Sequence, residues 1–291
     1  MGRNQVVGLL VAMFVGVAYG SSLVVARLSY DHGTTFFTIV ALRYLCLTVA
    51  LAVWLRVSGV GIDMPRHLAV RSAAVGVLSV LASISYLATV AYIPVSLGTL
   101  VFYTHPLITA LLAALLMGMR STRVELAAAV LAFAGLAVVL EVSFSSLHPL
   151  GLLFGVLASV LAAVIFILAS PIINAVGSLR FTFYLALSGA GIACLAAAFT
   201  NSVAFPPDSH GWGLLAATVL LNVAGLLGMF VAVKFLGPVA TPMVLNLEPI
   251  TAIVLAVLVI GEQLSSLQII ASSVILAAIL VAQASRARKS T

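Results

Sequence analysis

Long apolar segments dominate this sequence, and charged residues are confined almost entirely to the short stretches between them. Of the 291 residues, 64% are hydrophobic and 7% are charged, and the mean hydropathy is +1.30. A soluble domain carries about 25% charged residues, so this chain cannot cover a water-exposed surface. A membrane-crossing helix needs about 20 apolar residues. The pattern predicts an all-α polytopic membrane protein and excludes both a soluble fold and a barrel of alternating strands.

Polar clusters divide the chain into ten predicted membrane spans with short connections. The predicted spans are 5–26, 34–55, 70–91, 95–118, 122–141, 149–170, 180–199, 211–233, 238–260 and 265–285.

The basic residues test this division, because cytoplasmic loops of membrane proteins concentrate Lys and Arg. If the N-terminus is cytoplasmic and the spans alternate, eleven of the 13 basic residues fall on the cytoplasmic side. Of the other two, Arg27 falls outside and Arg43 lies within the second span. We therefore predict a multi-pass protein of the inner (plasma) membrane with both termini in the cytoplasm.

The sequence is also similar to itself at an offset of 143 residues. Gly8-Leu9-Leu10, which opens the first span, aligns with Gly151-Leu152-Leu153, and Pro106 aligns with Pro249. The alignment predicts two repeats of five helices each.

The two repeats cover residues 1–145 and 146–291. Because five is odd, the second repeat enters the membrane inverted relative to the first. Inverted repeats are typical of secondary transporters, whose substrate site lies near the midplane between the repeats. The structural alternative is an old duplication retained only for helix packing.

Several motifs resemble the EamA-type transporters of the drug/metabolite transporter superfamily. They are Glu248-Pro249 in mid-helix, Gly261-Glu262 before the last helix, and the ALRYL segment with Arg43. The first repeat is similar but carries Met119 where the family usually has an acid, and Tyr19 stands where Trp is common. The resemblance implies a ten-helix carrier that moves small metabolites without ATP and often exports amino acids. It also implies a cavity lined by helices 1, 3, 4, 6, 8 and 9.

Only two charged side chains lie at mid-depth in the predicted spans, Arg43 and Glu248. A charge at this depth costs about 2.5–3.5 kcal/mol on insertion scales, so each of the two residues is expected to have a function or a compensating partner. Glu248 can bind the ammonium group of an amino-acid-like substrate or exchange a proton during transport. The structural alternatives are that it pairs with Arg43 or stays protonated between helices. His105, its counterpart at the repeat offset, can titrate, donate to a substrate carboxylate, or serve only in packing.

Pro106 and Pro249 directly follow these two polar residues, and we predict hinges at both. A proline removes a backbone donor and frees the carbonyl four residues earlier, on Phe102 and Leu245 respectively. These carbonyls either face a cavity or are covered by neighbours.

Polar and aromatic residues elsewhere complete the predicted site. Ser79, Ser83 and Tyr86 lie on one stripe of the third span with Ser72 and Gly76. Such a stripe either lines an aqueous cavity or packs against another helix. The candidate substrate-binding residues are Tyr19, Arg43, Ser79, Ser83, Tyr86, Tyr103, His105, Asn222, Asn246 and Glu248.

These features predict a secondary active transporter that exports amino acids or similar zwitterionic or neutral metabolites, with proton linkage as an option. We expect no catalytic residue, cofactor, metal, ATP or nucleic acid, and the partners are a small-molecule substrate and the lipid bilayer. Alternatives are a carrier of nucleotide sugars or drug-like solutes, an intramembrane enzyme, and a membrane scaffold or channel subunit. A phosphorylated substrate calls for several buried cations, whereas only Arg43 qualifies. An intramembrane enzyme needs paired acids or a nucleophile with a partner, and neither pattern occurs.

Overall fold

The computed structural model describes residues 3–59, 61–117, 148–245 and 247–267, with isolated positions at 127, 130–131, 134, 269–270, 273–274, 277 and 281. This described part of the chain is helical, with short connections. Its helices are α1 (Arg3–Asp31), α2 (Phe36–Val57), α3 (Arg66–Tyr92), α4 (Val95–Phe102), α5 (His105–Met117), α6 (Pro149–Val176), α7 (Ser178–Phe199), α8 (Ser209–Leu245) and α9 (Leu247–Leu255), which continues as a π-helical turn at Ala256–Ile260.

Six of these helices, α1, α2, α3, α6, α7 and α8, are long and apolar enough to cross a membrane. They correspond to the first, second, third, sixth, seventh and eighth predicted spans. The fourth predicted span coincides with two helices, α4 and α5, and the ninth coincides with the end of α8, with α9 and with the π-helical turn. The fifth (122–141) and tenth (265–285) lie mostly outside the described residues.

The fourth predicted span, 95–118, is two helices, and the break between them lies next to Pro106, where a hinge was predicted. α4 ends at Phe102, and α5 begins at His105. Pro106 is the second residue of α5, where a helix needs no backbone donor. The missing N–H explains why the chain starts a new helix instead of continuing the old one.

The predicted spans place a non-helical connection between residues 233 and 238. In the structure α8 stays helical through these residues. The chain nevertheless reverses direction there, as its contacts with α1 show. Gly8 lies against Leu236, but Gly16, two turns further along α1, lies against Leu247.

Helices from the two halves of the chain pack against each other in matching pairs. α1 packs against α8, α3 against α6, and α2 against α7. The α1 and α8 helices are antiparallel, since Gly8 lies against Leu236 whereas Gly225 lies against Tyr19. The interior of the helix bundle therefore lies between residues 3–117 and residues 148–260 rather than inside either half.

Small residues of α1 allow α8 and α9 to approach closely, as expected for helices in lipid. A Cβ atom on Gly20 would lie 2.6 Å from the Glu248 carbonyl oxygen and 2.9 Å from the Ala252 nitrogen. Both atoms are backbone, so the contact cannot be relieved by rotating a side chain. Gly20 therefore sets the position of the helix that carries Glu248.

We predict that Gly20→Ala lowers the free energy of unfolding by about 1–3 kcal/mol, the usual cost of overpacking. Denaturant unfolding of the purified protein in detergent measures this change. Gly213→Ala is the matched control, because a Cβ at that position meets no atom within 4 Å. Equal effects of the two substitutions would contradict the packing role of Gly20.

The Gly261-Glu262 motif joins the end of the α9 segment to the start of α4. Gly261 has a left-handed φ of 78° and ends the π-helical turn. The Glu262 carboxylate accepts hydrogen bonds from the Val95 backbone N–H (2.7 Å) and from the Ser96 backbone N–H (3.2 Å) and hydroxyl (2.6 Å). A carboxylate at a helix N-terminus satisfies free backbone donors and stabilises the helix dipole. Sequence reasoning used Glu262 only as part of a family motif and missed this role.

Glu262→Gln is expected to lower the free energy of unfolding by about 1–2 kcal/mol, because the cap loses its charge and one acceptor oxygen. Hydrogen exchange at the first turn of α4 should become faster, and mass spectrometry measures it directly. Asp63→Asn neutralises an exposed loop carboxylate and serves as the control. Unchanged exchange at Val95 and Ser96 would show that the carboxylate does not hold this helix end.

Candidate functional site

A cavity of about 140 Å³ lies between the two halves of the chain. Its volume is close to that of an engineered protein cavity of about 150 Å³ that holds benzene, so it is suited to a small solute. The lining residues are Tyr19, Ser22, Leu23, Arg43, Tyr44, Ser79, Ala82, Ser83, Tyr86, Leu87, Phe102, Tyr103, His105, Ala162, Ile165, Phe166, Asn222, Leu226, Met229, Leu245 and Glu248.

Nine of the ten candidate substrate-binding residues line this one cavity. The tenth, Asn246, lies outside the described residues. Helices α1, α3, α4, α6, α8 and α9 all contribute, as the family resemblance implies for the corresponding spans. The second helix contributes as well, through Arg43 and Tyr44, and α5 contributes His105.

Glu248 is held by two tyrosine hydroxyls. The Tyr86 hydroxyl lies 3.1 Å from Oε1, and the Tyr103 hydroxyl lies 2.9 Å from Oε2. The Glu248 residue is only 6% exposed, and it sits in the first turn of α9. The Tyr103 hydroxyl carries one hydrogen and also lies 2.9 Å from the Leu245 oxygen, so Oε2 accepts from it when Glu248 is ionised and can donate to it when Glu248 is protonated.

Arg43 has neutral partners only. Its Nη1 donates to Asn222 Oδ1 at 2.8 Å, and its Nη2 donates to Ser83 Oγ at 2.6 Å and to the Tyr44 hydroxyl at 3.5 Å. Among the described residues, the one ion pair joins His32 and Asp208. The structure therefore does not bear out an Arg43–Glu248 pair, and both charges line the cavity separately.

Both carbonyls freed by the prolines are covered by side chains of the site. His105 Nδ1 lies 3.1 Å from the Phe102 oxygen, and because a carbonyl only accepts, this nitrogen carries the proton. The Tyr103 hydroxyl lies 2.9 Å from the Leu245 oxygen. The structure thus favours coverage by neighbours over two open carbonyls.

His105 is packed as well as hydrogen-bonded. Its ring stacks on Phe166 with centroids 5.7 Å apart and an interplanar angle of 8°. The residue is 6% exposed. These contacts favour the packing interpretation of His105, although its ring also forms part of the cavity wall.

The polar stripe of α3 serves both of the uses that sequence reasoning considered. Ser79, Ser83 and Tyr86 line the cavity. About one turn before Ser79, the stripe packs against α7 instead. The approach there is so close that a Cβ on Gly76 would lie 2.3 Å from the Leu185 carbonyl oxygen.

Sequence reasoning missed Ser22, Tyr44, Phe102 and Phe166 as lining residues. The repeat offset contains a signal for most of them, because lining positions recur 143 residues apart. The recurring pairs are Tyr19 and Ala162, Ser22 and Ile165, Leu23 and Phe166, Ser79 and Asn222, Ser83 and Leu226, Tyr86 and Met229, Phe102 and Leu245, and His105 and Glu248.

These pairs give the cavity two unlike walls. Tyr19, Ser22, Ser83 and Tyr86 in the first half of the chain correspond to Ala162, Ile165, Leu226 and Met229 in the second. The first half therefore supplies hydroxyl groups, whereas the second supplies apolar groups together with Asn222 and Glu248.

Comparison with known proteins agrees with this architecture. The sequence matches the EamA-like transporter family over residues 6–141 and again over residues 149–283. A solved crystal structure is similar with a TM-score of 0.69 and 19% sequence identity, over 96% of this chain and 99% of that one, which indicates a shared fold. No curated protein matches the sequence. Because the family match covers nearly the whole chain in two consecutive copies, this multi-pass membrane protein belongs to the EamA-like transporter family.

Proposed function

We propose that the protein is a secondary active transporter that exports small zwitterionic metabolites, with amino acids as the leading class, by alternating access across the inner membrane. One observation carries this proposal. A small buried cavity between the two halves contains one acidic and one basic residue that do not pair with each other. A zwitterion supplies one opposite charge for each of them.

The unlike walls of the cavity support the same class of substrate. The hydroxyl-bearing wall and the two charges suit the ammonium and carboxylate of an amino acid, and the apolar wall suits its side chain. Ligand sites commonly combine a mainly apolar lining with a few polar groups that fix orientation. The volume of about 140 Å³ suits a small metabolite.

The other substrate classes fit the cavity less well. Arg43 is the one Lys or Arg among its lining residues, whereas a sugar phosphate or nucleotide sugar calls for several cations. A neutral, apolar drug-like solute would leave both buried charges without an opposite charge. A neutral polar metabolite remains the second candidate, since the hydroxyl groups and Asn222 can hydrogen-bond with it.

In the proposed transport cycle, two inverted five-helix repeats rock about the helix interruption that precedes Pro106 and about the segment that contains Pro249. Ten membrane spans with both termini in the cytoplasm complete this arrangement. Glu248 exchanges a proton for the substrate ammonium. The Tyr86 and Tyr103 hydroxyls donate to a Glu248 oxygen that carries no proton. This exchange would couple export to the proton gradient.

Counterflow in proteoliposomes tests the proposal. We expect saturable uptake of at least one of a panel of labelled amino acids into vesicles preloaded with the same amino acid. The experiment is run with and without a pH gradient. Absence of saturable counterflow for every amino acid would exclude the amino-acid assignment, and an unaltered rate under the pH gradient would exclude proton coupling.

Glu248→Gln is expected to reduce kcat/KM for transport at least about tenfold. The substitution keeps the shape of the side chain but removes its charge, and a hydrogen bond to a charged group contributes about 1.5–3 kcal/mol. Asp63→Asn removes an exposed carboxylate outside the cavity and should transport normally. Full transport by Glu248→Gln at every pH tested would contradict the proposed role.

A further inference from the structure

Arg43 carries a buried positive charge that no carboxylate neutralises within the described residues. It is 9% exposed, and its three hydrogen-bond acceptors are the oxygens of Asn222, Ser83 and Tyr44. A buried charge without an opposite charge is strongly unfavourable, and more so in a membrane. The substrate-free protein therefore holds a cation that gains stability when an anion enters the cavity.

The guanidinium group is also incompletely hydrogen-bonded. Arg43 Nε is buried and has no hydrogen-bond partner among the residues that the structure describes, although Arg43 lines the cavity. Nε and Nη2 share the planar edge that binds carboxylates in bidentate fashion, and Nη2 can take part by exchanging its long, 3.5 Å contact with the Tyr44 hydroxyl for a carboxylate oxygen. Nη1 is already committed to Asn222.

The neutral partners of Arg43 are themselves fixed in orientation. The Asn222 amide nitrogen donates to the Ser22 hydroxyl and to the Thr218 carbonyl oxygen (2.9 Å), which turns Oδ1 towards Arg43. The Ser83 hydroxyl donates to the Ser79 carbonyl oxygen at 2.5 Å, which leaves a lone pair for Nη2. These contacts hold the guanidinium in place without cancelling its charge.

We propose that the Nε edge of Arg43 binds a carboxylate of the substrate and that Asn222 is the residue that determines this specificity. Asn222 does so because its Oδ1 accepts a hydrogen bond from Arg43 and fixes its position, while the neutral amide leaves the positive charge uncancelled. An aspartate of the same shape would place a fixed negative charge 2.8 Å from Nη1 and occupy the electrostatic role of the substrate carboxylate. This inference rests on the proposed function, since it assigns one of the two charged groups of the substrate to a subsite.

Two probe molecules with the same carbon skeleton distinguish binding at the carboxylate subsite from binding at the ammonium subsite. Isovalerate has a carboxylate and no ammonium group, whereas isoamylamine has an ammonium group and no carboxylate. We expect the purified wild-type protein to bind isovalerate, as measured by calorimetry. Asn222→Asp should weaken isovalerate binding at least about tenfold, equivalent to about 1.4 kcal/mol, while isoamylamine binding is retained or strengthened.

Asn222→Ala is the matched control, because it removes the acceptor of Nη1 altogether and adds no charge. It should weaken isovalerate binding less than Asn222→Asp does. If Asn222→Asp does not fold, Arg43→Gln supplies the test, with isovalerate binding reduced at least about tenfold and isoamylamine binding retained.

Three results would overturn the inference. They are no binding of isovalerate by the wild-type protein, equal affinities for isovalerate in wild type and Asn222→Asp, and equal losses in Asn222→Asp and Asn222→Ala. Isovalerate binding that behaves as expected, together with no amino-acid counterflow, would contradict the transport proposal and leave the carboxylate subsite intact.

Discussion

A proline cannot donate a backbone hydrogen bond, and this constraint at Pro106 and Pro249 shapes the centre of the protein. α4 ends just before Pro106, and Pro249 lies in α9, in a region where lipid offers no replacement donors. The Phe102 carbonyl accepts from His105 Nδ1, and the Tyr103 hydroxyl lies within hydrogen-bond distance of both the Leu245 carbonyl and Glu248. The two prolines thereby bring polar side chains to the level at which the cavity forms.

The two proline-containing segments are connected through the site and again at one end of the bundle. Tyr103, between α4 and α5, lies 2.9 Å from Glu248 Oε2 in α9. Further along, Glu262 caps α4, the helix that leads to Tyr103. Two short helical segments from opposite halves of the chain are therefore held together at both ends, and Gly20 of α1 lets the second segment approach closely.

Much of the site was predictable because membrane burial makes polar residues informative. Charges and hydroxyls at mid-span are costly unless they serve a purpose, which is why reasoning from the sequence identified Arg43, Glu248 and the α3 stripe. Apolar lining residues such as Phe166 carry no such signal, since phenylalanine is common throughout the spans. The repeat offset links Phe166 to Leu23, but this relation gains meaning only once one of the two is known to line a cavity.

Composition and charge distribution alone determined that the chain is a helical, multi-pass membrane protein, because hydropathy and span length follow directly from the thickness of the bilayer. Side-chain partners were decided by tertiary structure. Arg43 and Glu248 are 205 positions apart in the sequence, and whether they pair depends on how α2, α3, α8 and α9 pack. Packing places Asn222 and Ser83 within hydrogen-bond distance of Arg43, and Tyr86 and Tyr103 within hydrogen-bond distance of Glu248. The two charges therefore remain separate across one cavity.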